Sequence, residues 1–125
     1  MKFLIRLLPV MAFFLFSAFI SIDDIVTAFK NGDSAQVAKY FDETVELALP
    51  EKTNSYSKSQ AELILHDFFV KNGVKNFTVV HKGDNDHSQF CIGRLGTANG
   101  NFRTTFFLKL KNNQQLIQEL RLERQ

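Results

Sequence analysis

A single cysteine, Cys91, stands in the 125 residues, so no internal disulfide can brace the fold. Its setting, Phe90-Cys91-Ile92 in a strand-like run, is that of a buried structural thiol rather than a nucleophile. Net charge is equally scarce. The chain carries 15 Lys+Arg against 13 Asp+Glu, and subtracting Lys2 and Arg6 leaves 13 against 13, since every acidic residue lies beyond position 22. A neutral domain offers no broad positive surface, which argues against nucleic acid as a partner. No metal-ligand or cofactor-binding motif stands out, and neither a metal nor a cofactor is expected.

Long apolar runs are lacking too, except at the start. Lys2 and Arg6 precede a nearly unbroken apolar stretch from Leu7 to Ile20, and charged sequence begins at Asp23. The stretch falls short of the roughly 20 residues of a comfortable membrane span and has the layout of a secretory signal. Residues 1–21 are therefore expected to be a signal peptide and 22–125 the working domain, exported to the periplasm, with the membrane touched only through the signal. Phe16 or Phe19 occupies a position where cleavage favours a small residue, which keeps an uncleaved N-terminal anchor as the alternative.

What remains is rich in phenylalanine and changes period along its length. Ile22, Ile25, Val26 and Phe29 follow helical spacing and stop at Asn31-Gly32; Asp33 with Gln36 caps a second short helix carrying Val37, Ala38 and Phe41. Thr44 to Leu49 alternates as a strand closed by Pro50. Glu51 to Ser57 reads as a loop with room for a short strand around Asn54 to Tyr56. Ser57 and Gln60 then form a capping box ahead of the stripe Ala61, Ile64, Leu65, Phe68 and Phe69, which ends at Asn72-Gly73. From Phe77 onward the period is two, in segments 77–82, 88–95, 102–111 and 116–124.

Folding these four strands about their turns as an antiparallel meander places Val79, Phe90, Phe106 and Leu120 in one inward row and Phe77, Ile92, Thr104 and Leu122 in the next. His81 and Arg94 fall on the same inward side. Val80, Cys91, Leu95, Thr105, Phe107 and Ile117 then fall on the outer face, too apolar to leave wet, and predict a homodimer packed sheet against sheet. A one-residue slip would exchange the two sets in any strand.

Helix, helix, strand, long helix and a run of long antiparallel strands resembles the nuclear transport factor 2-like superfamily. The opening Asp24-Ile25-Val26-Thr27-Ala28-Phe29-Lys30-Asn31-Gly32-Asp33, followed by Val37-Ala38-Lys39-Tyr40-Phe41, looks like that of many members, including small exported bacterial domains of unknown function. The resemblance implies an α+β cone, three helices on a curved antiparallel sheet, with an apolar pocket. Its enzymes place a carboxylate or histidine base against that pocket, often with a tyrosine donor. Here Tyr40 and Tyr56 are the available phenols, His81 the inward histidine, and no inward carboxylate on the long strands joins them.

The expected function is accordingly non-enzymatic: a pocket for a small apolar or anionic ligand, or a sheet face for association. A proton-transfer enzyme of isomerase or dehydratase type is the alternative. Candidate ligand residues are Tyr56, Phe90, Arg94, Phe102, Phe106 and Arg124, with the two arginines paired at the rim to hold a carboxylate or phosphate. His81 to His87 gathers possible metal ligands, yet a calcium loop begun at Asp84 would have Gln89 in place of its glycine and Leu95 in place of its final glutamate. That segment reads as a hairpin turn.

Overall fold

The computed structural model describes residues 22–85 and 87–125. The expected signal peptide lies outside them, as does Asp86. Three helices and six strands are present among the described residues: α1 (Ile22–Lys30), α2 (Ser34–Ala38), β1 (Phe41–Leu49), β2 (Lys52–Ser57), α3 (Lys58–Asn72), β3 (Val74–Asp84), β4 (Ser88–Thr97), β5 (Gly100–Lys111) and β6 (Gln114–Arg124). No helix among them is long and apolar enough to cross a membrane.

Local chemistry sets the helix ends. Asp33 accepts a bond from the Gln36 N–H at 3.1 Å and starts α2. The Ser57–Gln60 capping box starts α3, and Gly73, at φ 70°, closes it in the left-handed conformation with its N–H on the Phe69 carbonyl. Phe41, expected to end the second helix, instead opens β1, where it is buried.

The sheet runs β2-β1-β6-β5-β4-β3. The meander β3 to β6 is antiparallel as expected, and Asn112-Asn113, both at positive φ, make the two-residue turn between Lys111 and Gln114. The sheet as a whole is mixed, however, because β1 joins β6 in parallel. A local reading of strand and turn signals carries no information about that pairing, which joins segments some seventy residues apart.

Register confirms part of the expected face and corrects the rest. Phe106 pairs with Leu120 and Thr104 with Leu122, all four fully buried. Strand β4, though, is shifted by one: Cys91, not Phe90, stands opposite Phe106, and Leu95 opposite Phe102. Cys91 and Leu95 are therefore inward and fully buried, whereas Phe90, Ile92 and Arg94 turn outward. The cause is the two-residue Ala98-Asn99 turn, pinned where Thr97 Oγ1 donates to the Gly100 carbonyl at 2.7 Å and accepts from the Asn99 N–H at 3.1 Å.

Two bulges complete the correction. One between Val79 and His81 puts Val79 opposite Gly93 and His81 opposite Ile92, so Val79 stays partly exposed and His81 lies on the outer face, its ring 5.4 Å from Phe90. Another between Phe107 and Leu108 sets Leu108 against Ile117, and both are fully buried. Cys91, Leu95 and Ile117 thus belong to the core and cannot form an outer contact. Burial pushes the Cys91 thiol up to about 11, which matches an inert side chain.

The core itself is aromatic. Phe29 of α1 lies at its centre, stacked on Phe77 at 5.2 Å and on Phe106 at 5.5 Å, with Phe69 edge-on at 5.9 Å. This cluster packs the helices against the sheet.

Candidate functional site

One open space lies at an end of that core. A cleft of about 300 Å³ is bounded by α3, the β1–β2 turn and the ends of β5 and β6. Leu49, Pro50, Ile64, Phe68 and Phe102 give it an apolar wall, while Glu51, Lys52, Asp67, Lys71, Asn72 and Arg124 supply the polar part. The α3 stripe explains the division of labour. Ala61, Leu65 and Phe69 are buried against the sheet, whereas Ile64 and Phe68, on the flank of the same stripe, are only partly covered and face the cleft.

Aromatic geometry shapes the wall. Phe68 meets Phe102 edge-on at 5.0 Å, and the guanidinium carbon of Arg124 stands 5.0 Å from the centroid of Phe102. Arg124 Nη1 also donates to the Asn99 carbonyl at 3.1 Å. Of the six expected ligand residues, Phe102 and Arg124 line this cleft. Phe106 is sealed in the core; Tyr56 packs at its margin on β2, its hydroxyl accepting from Asn54 Nδ2 at 3.4 Å. Phe90 and Arg94 lie on the other face of the sheet, where Arg94 pairs across strands with Arg103 and donates to Gln125 Oε1 at 3.2 Å. The expected pair of arginines is thus separated by the sheet, a consequence of the β4 shift.

Sequence reasoning missed Lys52, Asp67, Phe68, Lys71 and Asn72 as neighbours. Only the direction of α3 relative to the β1–β2 turn brings Asp67 to the cleft. His66, one position earlier, reaches back to α2, its Nδ1 3.4 Å from Ser34 Oγ. At the other candidate loop, Asn85 Oδ1 accepts the His87 N–H at 2.9 Å and the Ser88 N–H at 3.0 Å, the self-capping of a turn.

A separate polar cluster ties β1 to the far end of the meander. Asp42, with its side chain 9% exposed, accepts from Gln118 Nε2 at 2.6 Å, the Glu43 N–H at 2.7 Å and Lys111 Nζ at 3.2 Å. Burial alone would raise its carboxyl, but the bonds from Gln118, Glu43 and Lys111 outweigh it and hold it below its ordinary value of 3.8. The folded state thus binds this proton less readily than the unfolded state. Stability from Asp42 is present above pH 3.8 and disappears as pH falls through the lower folded value. Asp42→Ala is expected to cost about 1–2 kcal/mol at neutral pH, mainly from the unpaired Gln118 amide, since Lys111 is half exposed and screened. Urea melts at pH 6 and pH 3 check this: the variant should lose less stability between them than the wild type, and an equal loss would reject the coupling.

Fold and cleft together define the class: an α+β domain with three helices on one six-stranded curved sheet, of the kind seen in NTF2-like proteins. The sequence profile described as "Domain of unknown function (DUF4783)" matches residues 22–123, and the chain belongs to that family. A DUF4783 family protein from Bacteroides ovatus is 40% identical, with 82% of this chain and 93% of that chain covered and a TM-score of 0.79. Another from Bacteroides uniformis is 36% identical, with 82% and 95% covered and a TM-score of 0.80. An NTF2-like protein of unknown function from Cytophaga hutchinsonii shares the fold at 10% identity, with 83% and 86% covered and a TM-score of 0.60. No curated protein matches the chain.

Proposed function

We propose that the chain is an exported, non-enzymatic member of the nuclear transport factor 2-like superfamily, which binds a small apolar or anionic ligand in the cleft beside α3 and forms a homodimer through its outer sheet face. The cleft carries the reading: an apolar wall of five residues with a few convergent polar groups is the usual make-up of a small-molecule site. His81, the base of the enzymatic alternative, is exposed on the opposite face of the sheet.

A second observation supports association. Val80 is 62% exposed and Phe107 41%, and Phe107 continues through Phe90, its ring 6.5 Å away, into an apolar strip that also includes half-buried Ile92. A second copy would cover this strip by an isologous contact. The N-terminal charge pattern supports export.

Native mass spectrometry of the purified protein tests these claims in one measurement. The expected spectrum shows a dimer whose subunits begin between Phe19 and Asp24, carrying a small non-protein adduct released on denaturation. Phe107→Asp should give monomer with the adduct retained. Wild-type monomer at micromolar concentration would reject the interface, and an intact Met1 on membrane-associated protein would reject cleavage.

A further inference from the structure

We propose that the α3 cleft selects a small monocarboxylate with an apolar body, holding the carboxylate at Arg124 and Lys71 and the body against Ile64, Phe68 and Phe102; this rests on reading the cleft as the ligand site. Arg124 is exposed, yet it is positioned. Its guanidinium carbon stands 5.0 Å from the Phe102 centroid, and the Nη1 bond to the Asn99 carbonyl uses one donor while the rest of the fork remains for a planar acceptor.

The surroundings remove an obvious objection. The cleft adjoins the C-terminal end of α3, where open carbonyls would repel an anion. Four carbonyls at that end are already engaged: Phe68 O by Asn72 Nδ2 at 2.9 Å, Phe69 O by the Gly73 N–H at 2.9 Å, Lys71 O by Asn99 Nδ2 at 3.2 Å, and Asn72 O by the Ala98 N–H at 2.9 Å. Asn99 also donates to Asn72 Oδ1 at 3.2 Å, so one network fixes the helix end, the Ala98-Asn99 turn and Arg124 together.

Charge then selects the ligand class. Lys52, Lys71 and Arg124 line the cleft against Glu51 and Asp67, a positive excess of one, and none of these cations forms a carboxylate pair within 4.0 Å among the described residues. One carboxylate balances that excess. A dianionic phosphate or a second carboxylate would meet Glu51 or Asp67 as a like charge. At about 300 Å³ the cleft is at the small end for ligand sites, which limits the body to about one ring or a short chain.

Phenylbutyrate, phenylbutyramide and phenylbutylamine share one body and differ in the head group, so calorimetric titration of the purified protein with each separates head from body. The carboxylate should bind about tenfold more tightly than the amide or the amine. Arg124→Gln should erase the carboxylate's preference over the amide, and Lys71→Gln should reduce that preference. Backbone amide signals of Phe68 to Gly73 should shift with the carboxylate and report that each variant is folded. Equal binding of all three probes, or carboxylate preference surviving Arg124→Gln, would overturn the carboxylate assignment while keeping an apolar site. Absence of binding by all three, with those signals unmoved, would overturn the cleft reading as well.

Discussion

Phe29→Ala should be among the most damaging single changes in this domain, costing about 3–5 kcal/mol. Total stability for a domain of this size is about 5–15 kcal/mol, so the change would consume a large share of it. The ring is fully buried and touches three partners on two different layers, Phe69 from α3 and Phe77 and Phe106 from the sheet. Removing it strips stacking from two rings and edge contact from a third. The cavity would sit between α1 and β3, where collapse requires the short helix to move as a unit. Leu63→Ala is the matched control, because Leu63 is 66% exposed and makes no core contact; its cost should stay within about 0.5 kcal/mol. Urea titrations of both variants decide the matter. A Phe29→Ala loss below about 1 kcal/mol would mean that the aromatic cluster is not what joins the layers.

The features that were legible beforehand are those whose determinants lie close together in the chain. The Ser57–Gln60 capping box, the stop at Gly73 and the Asn112-Asn113 turn each depend on a few adjacent residues, and each forms where its residues predict. Strand β4 was legible as a strand but not in its facing. Both of its sides are apolar, Cys91 and Leu95 on one and Phe90 and Ile92 on the other, so alternation alone could not choose. The choice is made elsewhere, by the length of the Ala98-Asn99 turn and by a glycine on the inner side. The candidate site shows the same limit. Phe102 and Arg124 could be placed at a strand end near the mouth of the fold, whereas Lys52, Asp67 and Lys71 join them only through the approach of α3 to the β1–β2 turn, a contact no local pattern encodes. The errors on Phe90, Arg94, Cys91, Leu95 and His81 trace to two events, a one-residue turn difference and the bulge at Val80.

Gly93→Ala provides the sharpest test of that register and should cost about 3 kcal/mol, near the upper end for overpacking. Gly93 pairs with Val79, and the ring of Phe77 lies directly over it on the core side. A Cβ built there would stand 2.2 Å from Phe77 Cζ and 2.9 Å from the Thr78 carbonyl oxygen. The stack with Phe29, at 5.2 Å, limits how far the ring can swing away. The backbone carbonyl cannot yield without opening the β3–β4 ladder. In the register with Phe90 and Ile92 inward, position 93 would face outward and a methyl group would be harmless. The double variant Gly93→Ala/Phe77→Leu separates steric conflict from a general intolerance of substitution in β4. Trimming the ring makes room for the new methyl, so the pair should cost at least 1 kcal/mol less than the sum of the two single changes. Additive losses in urea titration would show that Phe77 is not the obstacle, and a Gly93→Ala cost below about 0.5 kcal/mol would return Gly93 to the outer face.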